Sequence, residues 1–198
     1  MASDGPVSAS DALGGLFGAT GPAGGSGAVR GSYIWGIDTS TQRLSVAARS
    51  ADGCEVATRS FERHLDGAAR LASIGRDTRG FVRELAGEWR PAVVFVEEIA
   101  VFSRRVNPIL YQAHGAIQAA LFEGLVDVGV SPDVRMIAVS SWKARALGQG
   151  NGHAPKDRIF KWAQADGYGG RLEDEADAWG IARAGWSIAS PGQQALVV

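Results

Sequence analysis

With one cysteine in 198 residues, Cys54, the chain can build neither an internal disulfide framework nor a cysteine-rich zinc site. That lone thiol fits a reducing compartment. Histidine is nearly as scarce. His64, His114 and His153 are scattered, none makes a ligand pair at helical spacing, and each is expected to be an ordinary surface or core residue. No apolar run approaches the roughly 20 residues that span a bilayer, so no membrane partner is expected. A strong charge of one sign is also missing: the formal net charge is −1, without the basic signature common in dedicated nucleic-acid binders. What is there, 45% hydrophobic and 21% charged residues, is the composition expected of a soluble globular protein, and the length favours one domain.

The composition is uneven along the chain. Residues 1–30 hold eight glycines and few large apolar groups, too little to offset the entropy of ordering, so a disordered Gly/Ala-rich tail is expected there. The same stretch lacks the basic and continuous apolar regions of a secretory signal. It carries Asp4 and Asp11 where an organellar presequence would want arginine. Residues 188–198, broken by Pro191-Gly192, read as a second tail, which leaves 31–187 as the folded domain. Charge is uneven too. Between Ile99 and Trp162 eight cations face four anions, an excess that an acidic cluster elsewhere would mask in the total.

Within the domain, aromatic and β-branched content predicts a strand over Ser32–Asp38. Alternating apolar positions predict a second over Leu44–Arg49, and the turn at Ala51-Asp52-Gly53 leads to an antiparallel third over Cys54–Phe61. Helical periodicity covers Asp66–Trp89, with Leu71, Ile74, Phe81, Val82 and Leu85 on one face. Pro91 opens a strand over Ala92–Glu98 whose continuous apolar run suggests burial on both faces. A helix over Pro108–Val128 follows, its stripe formed by Ile109, Leu110, Ile117, Leu121 and Leu125. After it come a short strand over Val134–Val139 and helices over Lys156–Ala165 and Glu173–Trp186. Three antiparallel strands, then β-α units and a closing helix, make an α/β sandwich.

Four carboxylates interrupt this pattern. Asp38 ends the apolar run from Tyr33, Glu97 (followed by Glu98) ends another, and Asp174 and Asp177 sit three apart at a helix start, hence on one face. Burying an unpaired carboxylate is expensive, so acids rarely finish buried strands unless something needs them there. Two strand ends and a helix start can gather such groups around divalent cations, which take oxygen ligands, as a two-metal phosphodiesterase requires. Duller roles stand beside this one. First-turn acids suit a helix dipole, and Asp38 could cap a turn with Thr39 and Ser40. Glu97 and Glu98 point to opposite faces of their strand, so only one can be the main ligand.

The order of these pieces resembles the ribonuclease H fold and, within it, the RuvC-type Holliday junction resolvases. The likeness rests on Gly36-Ile37-Asp38, Phe95-Val96-Glu97-Glu98, Gln112-Ala113-His114-Gly115-Ala116, Ser141-Trp142-Lys143 leading through Gly148-Gln149-Gly150-Asn151-Gly152 to Lys156, and Asp174-Glu175-Ala176-Asp177-Ala178. It covers about residues 32–186. No single piece is specific; their order and spacing carry it. Thr39-Ser40-Thr41-Gln42 departs from the family's Pro-Gly turn, and with the long tail this favours a phage-encoded or otherwise divergent member.

The resemblance implies a mixed five-stranded sheet, three antiparallel then parallel strands, flanked by helices. It implies that Asp38, Glu97, Asp174 and Asp177 are catalytic and hold two Mg²⁺ ions, with Mn²⁺ as a substitute and Glu98 in reserve. Cleavage of four-way junctions by paired symmetric nicks, leaving 5′-phosphates, would follow. Lys143, Arg145, Lys156 and Arg158 would grip phosphates, while Phe102, Arg104 and Arg105 would meet the junction from the loop after the central strand. A homodimer joined through the Pro108–Val128 helix and a cytoplasmic setting in a bacterial or phage-infected cell are implied as well. Alternatives remain open: a flap or fork endonuclease, or a DNA-binding adaptor without catalysis. A further alternative is an ATP-binding protein, because Gly36 to Thr41 also resembles the phosphate hairpin of the actin-like and sugar kinase superfamily.

Overall fold

The computed structural model describes residues 33–99, 108–131 and 133–189. Five strands and five helices follow one another as β1 (Tyr33–Thr39), β2 (Arg43–Arg49), β3 (Cys54–Ser60), α1 (Gly67–Glu88), β4 (Pro91–Glu98), α2 (Pro108–Asp127), β5 (Asp133–Ala138), α3 (Val139–Leu147), α4 (Lys156–Ala165) and α5 (Glu173–Ala189). The strands form one sheet in the order β3-β2-β1-β4-β5. β1, β2 and β3 pair antiparallel, whereas β4 is parallel to both β1 and β5. This is the mixed five-stranded sheet expected from the sequence.

The sheet divides two layers of helix. On one face Trp35, Ile37, Val94 and Val96 pack with Phe81, Val82, Ile117 and Leu121 of α1 and α2, the larger core. On the other face Ile34, Phe95 and Ile137 meet Trp142, Ile159 and Ile181 of α3, α4 and α5. Because side chains alternate along a strand, β1 and β4 each give odd and even positions to different cores, and both strands are buried on both sides.

α5 lies close to the sheet and to α3, and three glycines make that possible. A Cβ on Gly36 would run into the backbone of Ala182 and Ala178, and one on Gly185 would strike Phe95. One on Gly180 would lie 2.6 Å from a ring carbon of Trp142. At its N-terminal end the same helix is tied down by a polar chain. Tyr168 donates to Glu175 at 2.5 Å, the Thr58 hydroxyl donates to the other Glu175 oxygen at 3.0 Å, and Ser45 and Thr58 share a hydrogen bond of 2.9 Å. Glu175 is therefore a structural acid, unlike its neighbours on the helix.

Most predicted boundaries hold within one or two residues; two elements differ more. α3 has no counterpart in the sequence reading, which ends the fifth strand at Val139. Its nine residues include Val139, Ser140 and Ser141, poor helix formers, and its stability comes from the burial of Trp142 rather than from propensity. α5 continues through Ser187, whose hydroxyl donates back to Ala184 O at 2.7 Å, to Ala189, so the first two residues assigned to the C-terminal tail are helical. Ile109, counted in the apolar stripe of α2, is exposed. The N-terminal tail lies outside the described residues, as do Phe102, Arg104 and Arg105.

Candidate metal centre

Ile37 of β1 pairs with Val96 of β4, so Asp38 and Glu97 come one step later on adjacent parallel strands. Both follow residues of the α5 side in alternation: Ile34 and Gly36 precede Asp38, and Phe95 precedes Glu97. Glu98 takes the opposite face and is exposed, so Glu97 is the member of the pair that shares a face with Asp38. On α5, Asp177 is buried beside Ala176 and Ala178, held against the sheet by the contact at Gly36.

These positions bring the acids into one another's fields. Asp38 is 8% exposed and Asp177 is 7% exposed. Burial pushes the Asp38 carboxyl well above the ordinary range. The charge of Glu97, a hydrogen bond shared with it, and the charges of Asp177 and Asp174 push further the same way. Burial likewise lifts Asp177 to about 6; Lys156 pulls against that rise, and Glu97 adds to it. The acids at the ends of β1 and β4 and on α5 therefore act on one another, and keeping them all ionised is costly.

One cation already answers part of that charge. The Lys156 ammonium lies 3.5 Å from an oxygen of Asp174 and 3.4 Å from one of Asp177. Desolvation works to lower its pKa, but Asp177, Asp174 and Asp38 together raise it. Asp174 is engaged twice, since Arg43 approaches its other oxygen at 3.4 Å. Among the described residues, no three histidine, cysteine or acidic side chains converge on one point as a ready-made ligand set. The Lys156 ammonium sits between Asp174 and Asp177, and Asp38 lies within the fields of Glu97, Asp177 and Asp174. Hard oxygen donors of this kind suit Mg²⁺ or Mn²⁺.

The other predicted residues divide. Lys143 donates to Ala154 O at 3.0 Å and lowers the Asp177 pKa from a distance, so part of its role is structural. Arg145 and Arg158 are exposed and enter no ion pair among the described residues. Three neighbours escaped the sequence reading. Trp142 donates its indole N–H to Glu97 Oε1 at 3.0 Å. His114 is buried, 2.8 Å from the Thr39 hydroxyl by Nδ1 and 2.6 Å from the Gln118 amide by Nε2, with burial depressing its pKa. Arg43, at the start of β2, is the third. The only sequence signal for any of them is the place of His114 and Trp142 inside motifs already singled out.

No protein-family model matches the chain, and no curated protein sequence matches it. Solved structures do. The chain is similar to Thermus thermophilus RuvC, with 19% identity, 80% of this chain and 96% of that one covered, and a TM-score of 0.58. It is also similar to T. thermophilus RuvC in complex with a Holliday junction substrate, with 20% identity, coverage of 81% and 96%, and a TM-score of 0.62. A more distant likeness, at 14% identity, coverage of 83% and 81% and a TM-score of 0.47, is the yeast mitochondrial Holliday junction resolvase Ydc2. The architecture of this chain is thus the ribonuclease H-like fold of RuvC, as the order of its motifs implies.

Proposed function

We propose that the chain is a metal-dependent DNA endonuclease that resolves four-way junctions. The observation that supports this reading is that Asp38, Glu97 and Asp177, from two strand ends and one helix, lie within electrostatic range of one another in a fold of the RuvC type. Divalent cations bound there would supply Lewis-acid chemistry, activating water and stabilising the leaving 3′ oxygen, which leaves a 5′-phosphate. Asp38, Glu97 and Asp177 would hold them, joined by Asp174 once it leaves Arg43 and Lys156. A ligating carboxylate is ionised, so metal binding there works against the burial that pushes the Asp38 pKa up. Lys156, freed from the acids, would move to a phosphate of the substrate.

Arg145, Arg158 and Lys143, with Phe102, Arg104 and Arg105 of the segment between β4 and α2, would complete the DNA surface, and contacts to phosphates would make binding salt-dependent. Paired nicks need two sites, which a two-fold dimer provides. Phe122 and Val126 on the outside of α2 and Met136 on β5 are exposed apolar groups that a second copy would cover. None of the described helices is long and apolar enough to cross a membrane, and we place the protein in the cytoplasm, where its DNA substrate lies. Incubating the purified protein with labelled four-way, three-way, flap and linear DNA plus Mg²⁺ tests the reading. Symmetric nicks on the four-way substrate alone are expected. Preference for flaps or forks would replace the junction assignment, and no cleavage of any DNA would remove the nuclease.

A further inference from the structure

Trp142 is fully buried, and its indole N–H is its one polar atom, a donor only. A buried donor requires an acceptor, and this one uses the Glu97 carboxylate at 3.0 Å. The ring is fixed from the opposite side. It fills the notch left by Gly180, one helical turn beyond Asp177. Its neighbour Lys143 is anchored on Ala154 and lies with its ammonium 5.6 Å from the ring centroid. One rigid side chain therefore touches both the strand that carries Glu97 and the helix that carries Asp177.

From this contact pair we infer that Trp142 is a positioning residue of the metal centre. It occupies one lone pair of Glu97 Oε1, sets the rotation of that carboxylate toward Asp38, and fixes the spacing between β4 and α5 at the acids. The inference rests on the nuclease reading for the identity of the site but adds a residue to it. Removing such an outer partner of a ligand costs metal affinity without touching the ligands themselves.

Trp179 provides a matched control. It is also a buried tryptophan whose indole N–H donates to a carboxylate, Asp166 at 2.9 Å, but Asp166 belongs to a separate cluster with Arg49 and Arg183. The test is a calorimetric Mn²⁺ titration of the full chain near neutral pH, with thermal unfolding recorded for each variant. Trp142→Phe is expected to need about tenfold more Mn²⁺ than the wild type. Trp179→Phe should bind Mn²⁺ like the wild type even where its thermal stability falls as much. Unchanged Mn²⁺ binding in Trp142→Phe, or equal weakening in Trp179→Phe, overturns the inference while leaving the nuclease reading intact. A wild type that binds no Mn²⁺ removes both. Should Trp142→Phe fail to fold, the wild type decides by ¹⁵N NMR. The Trp142 indole resonance is expected to shift on adding Mg²⁺ while that of Trp179 stays, and an unmoved Trp142 signal refutes the role.

Discussion

The two faces of the sheet solve different problems. Toward α1 and α2, the strands present Trp35, Ile37, Val94 and Val96, large groups that fill the gap between layers. Toward α5 the contact is made by Gly36, Ala47, Ala178, Ala182 and Gly185, so that helix backbone approaches strand backbone. Large side chains hold layers roughly 10 Å apart and stabilise by area. Small ones give up area but let an aspartate on a helix come within electrostatic range of an aspartate on a strand. The first face is held by large side chains throughout, whereas the second joins a core around Ile34, Phe95 and Trp142 to a close-packed seam that brings short acidic side chains near one another.

Breaking the acidic face chemically should have the largest effect. Asp38→Asn is expected to lower junction cleavage on the order of 10³-fold, the scale of losing one preorganised electrostatic group, with junction binding by gel shift largely kept. Undiminished cutting would remove Asp38 from the mechanism. Breaking it sterically comes next. Gly36→Ala forces α5 off the sheet, costing about 3 kcal/mol by denaturant unfolding and most of the activity of the folded fraction. Leu121→Ala in the other core should cost a similar amount, about 3 kcal/mol, yet leave cleavage per folded molecule unchanged. If the two variants behave alike, the division between the faces is wrong.

Acidity sharpens the comparison further. Asp177 holds its proton to about pH 6 in the folded chain, well above the ordinary carboxylate value. The folded state therefore binds more protons than the unfolded state between those values, and stability falls as pH rises through that window. The penalty is absent below the ordinary carboxylate pKa and complete above about 6, with an upper size of about 3 kcal/mol. Asp38, shifted in the same direction, extends the loss upward. Metal-free protein should thus melt at a higher temperature in mildly acidic than in neutral buffer, with the difference reduced in Asp177→Asn. A flat profile in the wild type would contradict the action of the acids on one another. The smallest effect is expected for Asp174→Asn, about tenfold in cleavage, because Asp174 already satisfies Arg43 and Lys156 and is the least buried of the helix pair.

What the sequence reveals follows the same division. β1 and β4 are legible as apolar runs, and an acid at the end of each is a local anomaly that needs no structure to notice. Alternation along β4 shows that Glu97 and Glu98 part company. Choosing Glu97 from geometry, though, requires knowing that α5 covers the face of Gly36 and Phe95. The glycine notches are invisible in sequence because a glycine in a helix or strand signals only a missing side chain, not what fills the space. α3 stays hidden for a related reason: its opening residues Val139, Ser140 and Ser141 are poor helix formers, and Trp142 is buried against Gly180 of α5. Arg43 carries no signal at all, since a cation beginning a strand is ordinary until a carboxylate some 130 residues later folds beside it.

Diffraction from crystals soaked in Mn²⁺ tests the central claim most directly, because the ion's anomalous signal locates it without reference to activity. The expected result is a peak bounded by the carboxylates of Asp38, Glu97 and Asp177, with the Lys156 ammonium displaced from Asp177. Density showing Lys156 still seated between Asp174 and Asp177, and no peak beside Asp38, would contradict the account.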